Sequence, residues 1–318
     1  MAADALPKQA VVVVNVQSRR GEEAFEQACE KLGAVGIRVI ARHPVSDPDQ
    51  MRPIVGKAIA DGAPMVIVGG GDGSLSTTID DFLGTDTVFA FLPLGTANSF
   101  AKTLGVPIDL DRAIDVIANG RRKRIDLGFV DDDYFANAAA MGMSPLIAET
   151  VPHKLKKYLG MFGYALWALR VAFKFRPFRL YVDDGTKVHR VWATEARIAN
   201  GTHHGGVELV ESASLDSGEI VVQAVTGRSV FGLAWSWFAT LFKLRARQAT
   251  VTEFHGRELN IKAKPAQMIS IDGELSAKTP VKVGVARGAV IIAAPREEQK
   301  VGVSAQPVER SPQAVRLG

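Results

Sequence analysis

The stretch best suited to chemistry is rich in glycine and occupies residues 69–74, with the sequence GGGDGS. It follows an apolar run at residues 65–68, which predicts a buried strand, and precedes Leu75, where a helix can begin. Because glycine lacks Cβ and tolerates positive φ, successive backbone N–H groups can converge on an anion at a helix N-terminus. The pattern predicts a phosphate-binding loop, with a plain strand-to-helix turn as the alternative. The residues are Gly69, Gly70, Gly71, Asp72, Gly73 and Ser74.

Two more polar stretches come after apolar runs. Residues 93–98, with the sequence PLGTAN, follow the run at 88–92 and contain Thr96 and Asn98. Residues 271–274, with the sequence IDGE, place Asp272 and Glu274 on either side of a glycine. An Asp-Gly pair between apolar segments is by itself a hairpin turn signal. From the residues alone, the second stretch is therefore a turn that carries two carboxylates.

The order of predicted strands and helices that position these residues changes along the chain. In the first part, apolar strands at 11–16, 37–42, 65–68 and 88–92 alternate with helices at 22–32, 46–60, 99–104 and 111–118. This alternation predicts a three-layer α/β domain, in which a parallel sheet is covered by helices on both faces. Ligands of such sheets bind at the carboxyl ends of the strands. The glycine-rich stretch and PLGTAN both follow such ends.

After residue 124, strands follow one another closely, as is typical of an antiparallel β-sandwich. Helical inserts are predicted at 146–175 and 230–244. We therefore expect an α/β domain over residues 1–125, a β-sandwich domain over 126–296 and a mobile tail over 297–318. The strands are predicted at 124–130, 134–140, 178–182, 189–199, 219–225, 257–262, 268–271, 281–285 and 289–293.

Composition fits a globular protein of two domains, since the chain has 318 residues, of which 47% are hydrophobic. The single cysteine, Cys29, excludes an internal disulfide framework and a cysteine-rich zinc site. Neither a secretion signal nor a long uncharged apolar segment is evident, which predicts a cytoplasmic protein. The net charge of +4 is mild, and basic clusters at 121–124 and 153–157 are either solvated surface or faces for phosphate or an anionic membrane.

Taken together in their order and spacing, the motifs resemble those of the diacylglycerol kinase catalytic-domain superfamily, which includes bacterial soluble diacylglycerol kinases and sphingosine kinases. The resemblance covers residues 10–295 and implies the same plan of an α/β nucleotide domain followed by a β-sandwich. The motifs are NVQSRRG from Asn15, GGGDGS from Gly69, PLGTANSFA from Pro93, IDLG from Ile125, YFANAAAMG from Tyr134, ANGTHHGG from Ala199, LDSGEI from Leu215 and IDGE from Ile271.

The resemblance implies ATP-dependent transfer of a phosphoryl group to a hydroxyl of diacylglycerol or a related lipid, with a sphingoid base also open as the acceptor. Transfer needs a phosphate cradle, Mg²⁺ and a group that takes the hydroxyl proton. Asp272 and Glu274 are joint candidates for the base, and Asp72 is assigned to Mg²⁺ or to the base. The implied ATP contacts are Asn15, Gly69, Gly70, Gly71, Asp72, Gly73, Ser74, Thr96, Asn98 and Glu274, and the implied metal residues are Asp72, Asp126 and, at a structural site, Asp216.

The chain departs from the family pattern at three positions. Val16 replaces a proline in the first loop, and Ser99 replaces an aspartate after Asn98, which removes a carboxylate from the metal network. In LDSGEI, Ser217 precedes Gly218 and the carboxylate is Asp216, one residue early. A metal site and a plain turn therefore both stay open at Asp216.

Two alternatives to a lipid kinase follow from the same residues. One is an enzyme similar to NAD kinase, which shares the glycine loop and the two-domain plan, and the other is a catalytically weak lipid-binding protein. Apolar, partly basic segments at 231–242 and 159–175 serve either as core helices or as docking sites at an anionic membrane surface. The expected partners are a lipid substrate, the inner face of a membrane and a second copy in a homodimer, with no nucleic acid.

Overall fold

The computed structural model of the chain describes residues 4–17, 21–152, 167, 170–171, 175–227, 251–271 and 274–300. Its N-terminal part alternates strands and helices. The elements are β1 Gln9–Asn15, α1 Gly21–Ala34, β2 Arg38–Val45, a 3₁₀ turn at Pro48–Gln50, α2 Met51–Ala60, β3 Met65–Gly70, α3 Asp72–Ile79, a second 3₁₀ turn at Asp80–Phe82, β4 Val88–Pro93, α4 Ser99–Leu104 and α5 Leu110–Asn119.

The first four strands form a parallel sheet in the order β2-β1-β3-β4. Every residue of β3 and β4 is buried, as expected for strands that helices cover on both faces. Because parallel strands share one carboxyl edge, the loops that follow β1, β3 and β4 meet at that edge. The predicted α/β layout of this part is the one observed.

The remaining strands are mostly antiparallel, as predicted. They form a sandwich whose apolar core includes Phe178, Ile198 and Val222, separate from the core around Phe89 and Phe100 in the α/β part. The elements are β5 Arg121–Val130, β6 Asp133–Phe135, β7 Ala138–Gly142, α6 Met143–Thr150, β8 Phe178–Asp183, β9 Val188–Ala199, β10 His203–His204, β11 Val207–Glu208, β12 Ile220–Thr226, β13 Val251–Gly256, β14 Glu258–Lys264, β15 Met268–Ile271, β16 Glu274–Lys278, β17 Val281–Ala294 and α7 Glu297–Lys300.

Strand β17 joins the two parts of the fold. It pairs antiparallel with β5 along nearly the whole of both strands, and Ile292 pairs in parallel with Phe89 of β4. The predicted strands at 281–285 and 289–293 are therefore one strand, which bends at an irregularity between Ala286 and Val290. The boundary predicted near residue 125 falls inside β5, so the chain has no linker there.

The strand predicted at 134–140 is interrupted, and the reason is Asn137. Its backbone carbonyl accepts the N–H groups of Asn200 and Gly201, and its side-chain oxygen accepts the Thr103 hydroxyl at 3.0 Å. These contacts tie the sandwich to α4 and end β6 before β7 begins.

Several predicted segments lie mainly or wholly outside the described residues. They are the insert at 230–244, most of the insert at 146–175 beyond α6, the basic cluster at 153–157 and the tail from residue 301 onward. The other basic cluster begins β5, where Lys123 pairs with Asp216 and Arg122 donates to the carbonyl of Ala5. No helix in the described part of the chain is long and apolar enough to span a membrane.

Candidate active site

The glycine-rich stretch forms the turn from β3 into α3, with Gly71 as the residue before the helix. A Cβ on Gly69 would lie 2.7 Å from a Val14 methyl, and one on Gly70 would lie 2.3 Å from the Ser74 hydroxyl. Both positions therefore need glycine for packing. A Cβ on Gly73 would meet nothing within 4 Å, because this residue faces open space.

The PLGTAN stretch lies against the glycine loop, as the parallel order of β3 and β4 predicts. The N–H of Leu94 donates to the carbonyl of Gly70 at 2.8 Å. A Cβ on Gly95 would lie 2.4 Å from Cα of Gly71, so the two backbones touch where both residues lack a side chain. The two loops form one wall.

Asn98 is buried, with no exposed surface, and adopts the left-handed conformation at φ 48°. Its side-chain oxygen accepts the N–H of Gly95 at 3.0 Å, and its amide donates to the carbonyl of Gly95 at 2.8 Å. Asparagine tolerates this conformation better than most residues. Asn98 thus shapes the loop, and its predicted contact with ATP stays a prediction. Thr96, on the same loop, is exposed.

Asp72 is half-buried in the first turn of α3, and its Oδ1 accepts the backbone N–H of Phe100 at 3.2 Å. Asn15 is the last residue of β1, and its side-chain amide donates to the Ser74 hydroxyl at 3.4 Å. The ends of β1, β3 and β4 therefore converge on the predicted phosphate loop. The phosphate loop contributes one carboxylate, that of Asp72.

A cavity of about 600 Å³ opens beside this wall. Asn15, Gly71, Gly73 and Ser74 line it from the α/β part. Ile271 and Ser276, from the hairpin of β15 and β16, line it from the sandwich. The cavity is thus a cleft to which both parts of the fold contribute.

The acidic motif begins at Ile271, the last residue of β15, and ends at Glu274, the first residue of β16. Strands β15 and β16 pair antiparallel, with Ile271 opposite Glu274, which fits the hairpin signal in the sequence. Asp272 and the side chain of Glu274 lie outside the described residues. Their catalytic assignment therefore stays a prediction.

The sequence reasoning missed a polar group at the other side of the cleft. Arg52, Asp80 and Asp133 line the cavity, and Arg52 Nε binds Asp81 at 3.1 Å. Burial raises the pKa of Asp80 to about 6, and the carboxylates of Asp81 and Asp133 act in the same direction while Arg52 opposes them. The Asp-Asp pair directly after α3 was visible in the sequence, but nothing there pointed to Asp133.

The carboxylate of Asp126 is buried and fully engaged by backbone. Its two oxygens accept the N–H groups of Gly218 and Gly288, each at 2.7 Å. These contacts hold Asp126 in the fold, and its metal role stays a prediction. Among the described residues, no three His, Cys, Asp or Glu side chains lie together as metal ligands would.

Asp216 is bound by protein groups as well. Lys123 Nζ contacts its Oδ2 at 2.8 Å, and the Ser214 hydroxyl donates to its Oδ1 at 2.5 Å. Hydrogen bonds from Lys123 and Ser214 hold the pKa of this carboxyl below its usual value. These contacts are those of a turn, and the structural metal site at LDSGEI stays a prediction.

Comparison with known proteins follows the same division of the chain. Residues 9–130 match the family model of the diacylglycerol kinase catalytic domain. Residues 137–294 match that of the YegS C-terminal NAD kinase beta sandwich-like domain.

Individual relatives agree with these matches. A Chromohalobacter salexigens protein named "Probable lipid kinase YegS-like" is 34% identical over 49% of this chain and 52% of its own. A Klebsiella pneumoniae protein of the same name is 29% identical over 81% of this chain and 87% of its own. The matched part thus spans about half the length of the first relative.

The fold agrees with a solved structure. The crystal structure of a diacylglycerol kinase from Bacillus anthracis superposes with a TM-score of 0.71, at 18% identity, over 90% of this chain and 97% of its own. At that identity the likeness speaks for the fold alone. With the two models matched in order, the chain consists of a diacylglycerol kinase catalytic domain followed by a YegS-type C-terminal domain.

Proposed function

We propose that this protein is an ATP-dependent lipid kinase, which transfers the γ-phosphoryl group of ATP to a hydroxyl of diacylglycerol or a related lipid. The observation that carries the proposal is the cleft of about 600 Å³. It brings the glycine loop of the α/β part opposite the hairpin that bears the IDGE motif. Such a cleft lets donor phosphates and the acidic groups of the motif meet.

The glycine loop suits the phosphates of ATP. The backbone N–H of Leu75 donates to the carbonyl of Gly71, and this is the first hydrogen bond of helix α3. The N–H groups of Asp72, Gly73 and Ser74 therefore have no partner within the helix and can donate to an anion. Gly73 and Ser74 both border the cleft, and no Cβ obstructs the approach at Gly73.

Asp72 is the residue that would hold Mg²⁺. Its Oδ1 is oriented by the N–H of Phe100, which leaves the rest of the carboxylate available. Mg²⁺ often takes one or two carboxylates together with phosphate oxygens, so a single aspartate at a phosphate loop fits this ion. When bound, the ion offsets the negative charge of the donor phosphates.

In the proposed reaction the lipid hydroxyl oxygen forms a bond to the γ-phosphorus, and the bond from that phosphorus to the bridging oxygen of ADP breaks. The hydroxyl proton passes to a carboxylate, for which Asp272 and Glu274 are the candidates. A lipid acceptor resides in a bilayer, so we extend the proposal to contact with an anionic membrane on its cytoplasmic face.

The test is a transfer assay with purified protein, Mg²⁺ and γ-labelled ATP. Separate reactions contain dispersed diacylglycerol, sphingosine or NAD, and one contains diacylglycerol with EDTA. We expect label in a lipid and none with EDTA. Label in NAD alone would replace the lipid kinase by a NAD kinase activity, and lipid binding without any transfer would favour the lipid-binding protein.

A further inference from the structure

A second cavity, of about 710 Å³, lies on the outer face of the β-sandwich. Tyr181 and Asp183 of β8 line it, and they alternate along the strand with Leu180 and Val182, which belong to the sandwich core. Among the residues that the structure describes, none lines both this cavity and the cleft beside the glycine loop. Cavities that bind small molecules measure about 300–1,000 Å³, so this one has the size of a ligand site.

One end of the cavity is basic. Tyr181 lies opposite Arg190 of β9 on one side and opposite Lys262 of β14 on the other. The Arg190 guanidinium lies over the Tyr181 ring, 5.8 Å from its centre. Lys264 is two residues beyond Lys262 on the same face of the strand, with about 7 Å between their Cα atoms. Three cationic side chains therefore line this end.

These three cations lack counter-ions. In the described part of the chain, no carboxylate forms an ion pair with Arg190, Lys262 or Lys264. The fourth cation of the lining differs, because Lys282 Nζ contacts Glu258 at 2.9 Å. Like charges on neighbouring strands destabilise a sheet. An anion bound among the three cations would remove this repulsion and accept charge-assisted hydrogen bonds from them.

The other end of the cavity is acidic. Asp183 lies opposite Asn260 of β14, and Asn260 lies opposite Lys282 of β17. Asp131 is fixed beside Lys282, whose N–H donates to its Oδ1 at 2.8 Å and whose carbonyl accepts its N–H at 2.8 Å. Asp183 Oδ1 accepts the N–H of Gly185 at 3.0 Å. Backbone thus holds one oxygen of each carboxylate, and no described residue donates to the Oδ2 of either.

We propose that this cavity binds a phosphorylated polyol, with its phosphate at the basic end and its hydroxyl groups at the acidic end. Guanidinium and ammonium groups bind phosphate oxygens, whereas an ionised carboxylate only accepts hydrogen bonds and so needs donors from the ligand. Hydroxyl groups supply those donors without adding a positive charge beside Lys282. The inference does not depend on the proposed kinase activity.

A phosphorylated polyol reaches the cavity either as a free molecule or as the headgroup of a lipid, and the test separates these sources. Inositol 1-phosphate, inositol, inorganic phosphate and ethanolamine phosphate are titrated onto the full chain by calorimetry. In parallel, the protein is sedimented with phosphatidylcholine vesicles that contain or lack phosphatidylinositol. For a free ligand we expect inositol 1-phosphate to bind about tenfold or more tightly than the other three compounds. For a headgroup we expect sedimentation only with phosphatidylinositol.

Substitutions assign the binding to this cavity, because the glycine loop also suits phosphate. Lys262→Gln combined with Lys264→Gln should raise the Kd for the bound probe about tenfold or more. Lys57→Gln combined with Arg112→Gln is the matched control. It removes the same charge from the exposed surface of the α/β part, where Lys57 pairs with Asp61, and should leave the Kd within about twofold of wild type.

Folding of these variants is checked by thermal melts. Lys262 and Lys264 are exposed, so the double variant should melt like wild type. If it melts earlier, each lysine is replaced by glutamine singly, and each single variant should raise the Kd about threefold or more.

Asp183→Asn tests the acidic end. It keeps an oxygen for the N–H of Gly185 but removes the carboxylate. We expect weaker binding of inositol 1-phosphate, by about threefold or more, while inorganic phosphate binds at least as tightly as to wild type.

The outcomes decide the proposal. Loss of binding in the lysine variants, with the control unchanged, would support the cavity for whichever source the wild type binds. Equal effects of the two double variants, or none from either, would overturn it. So would a wild type that binds neither inositol 1-phosphate nor phosphatidylinositol vesicles, or one that binds inorganic phosphate or ethanolamine phosphate as tightly as inositol 1-phosphate.

Discussion

The carboxylate of Asp72 and the backbone N–H of Phe100 are 3.2 Å apart and hydrogen-bonded. This bond joins the first turn of α3 to the first turn of α4, the helices that follow the two loops of the cleft wall. The bond engages one oxygen of the carboxylate, Oδ1. Asp72 therefore combines a structural contact with its proposed role at Mg²⁺.

That double role makes the two simplest substitutions of Asp72 differ. Asp72→Asn keeps an oxygen for the N–H of Phe100, so we expect it to fold like wild type and to lose transfer activity by about a hundredfold or more. Asp72→Ala should lose activity equally and also about 1 kcal/mol of stability. Activity assays and urea unfolding of both variants check this. Asp72→Asn with normal activity would exclude Asp72 from the chemistry.

The contact of Gly71 with Gly95 gives a prediction about the wall itself. Gly95→Ala would place a Cβ 2.4 Å from Cα of Gly71, so the loops must separate. We expect a loss of about 1–3 kcal/mol in the free energy of unfolding and weaker binding of an ATP analogue.

Gly73→Ala is the control for folding, since its Cβ would meet no atom within 4 Å. Its melting temperature should stay close to that of wild type, whatever happens to ATP binding. If Gly95→Ala melts like Gly73→Ala, the loops are not in the close contact described here.

Local signals were enough to predict much of the fold. The helix Ser99–Leu104 and the strand Met268–Ile271 have the predicted bounds, because apolar runs ended by polar or glycine-rich residues encode them. The nearness of the glycine loop and PLGTAN followed from parallel order alone. The family match then agreed with the predicted class of an α/β domain before a β-sandwich.

Local signals of this kind could not predict contacts between residues that lie far apart in the sequence. Asp126 binds backbone groups 92 and 162 positions away, and a sequence pattern does not show that a carboxylate has satisfied both oxygens on N–H groups. The short strands β10 and β11 were missed for a similar reason. They are two residues each and exist because Gly206 docks on Ser99 of α4.

The backbone contacts of Asp126 predict a structural phenotype. Asp126→Asn places an NH₂ group against one of the two N–H donors of Gly218 and Gly288. We expect a loss of about 2–4 kcal/mol of stability, with an unchanged dependence of activity on Mg²⁺ in the folded fraction. Urea unfolding and a Mg²⁺ titration measure the two effects. A variant of normal stability that needs more Mg²⁺ would support the metal role instead.

The raised pKa of Asp80 predicts how the stability of the protein changes with pH, which tests the polar residues that line the cleft. Its pKa is raised to about 6 in the folded protein, mainly by burial, and is close to 3.9 in the unfolded chain. Between these two values only the unfolded chain is ionised, so the folded state loses stability as the pH rises from about 4 to about 6, and the penalty is then constant above 6. Asp80→Asn cannot ionise. It should raise the melting temperature at pH 8, and the gain should shrink between about pH 6 and pH 4.

Asp184→Asn should change the melting temperature in the opposite direction. Hydrogen bonds from Thr186 and His189 lower the pKa of Asp184, so its carboxylate stabilises the fold above the unfolded pKa, and that contribution is lost as the pH falls. We expect this variant to melt below wild type at pH 8 and to approach it in acid. Melts without nucleotide, from pH 4 to pH 8 for Asp80→Asn and from pH 8 down to about pH 2 for Asp184→Asn, compare the two directions. An Asp80→Asn gain that is independent of pH would mean that Asp80 is not held in the buried setting beside Asp81 and Asp133.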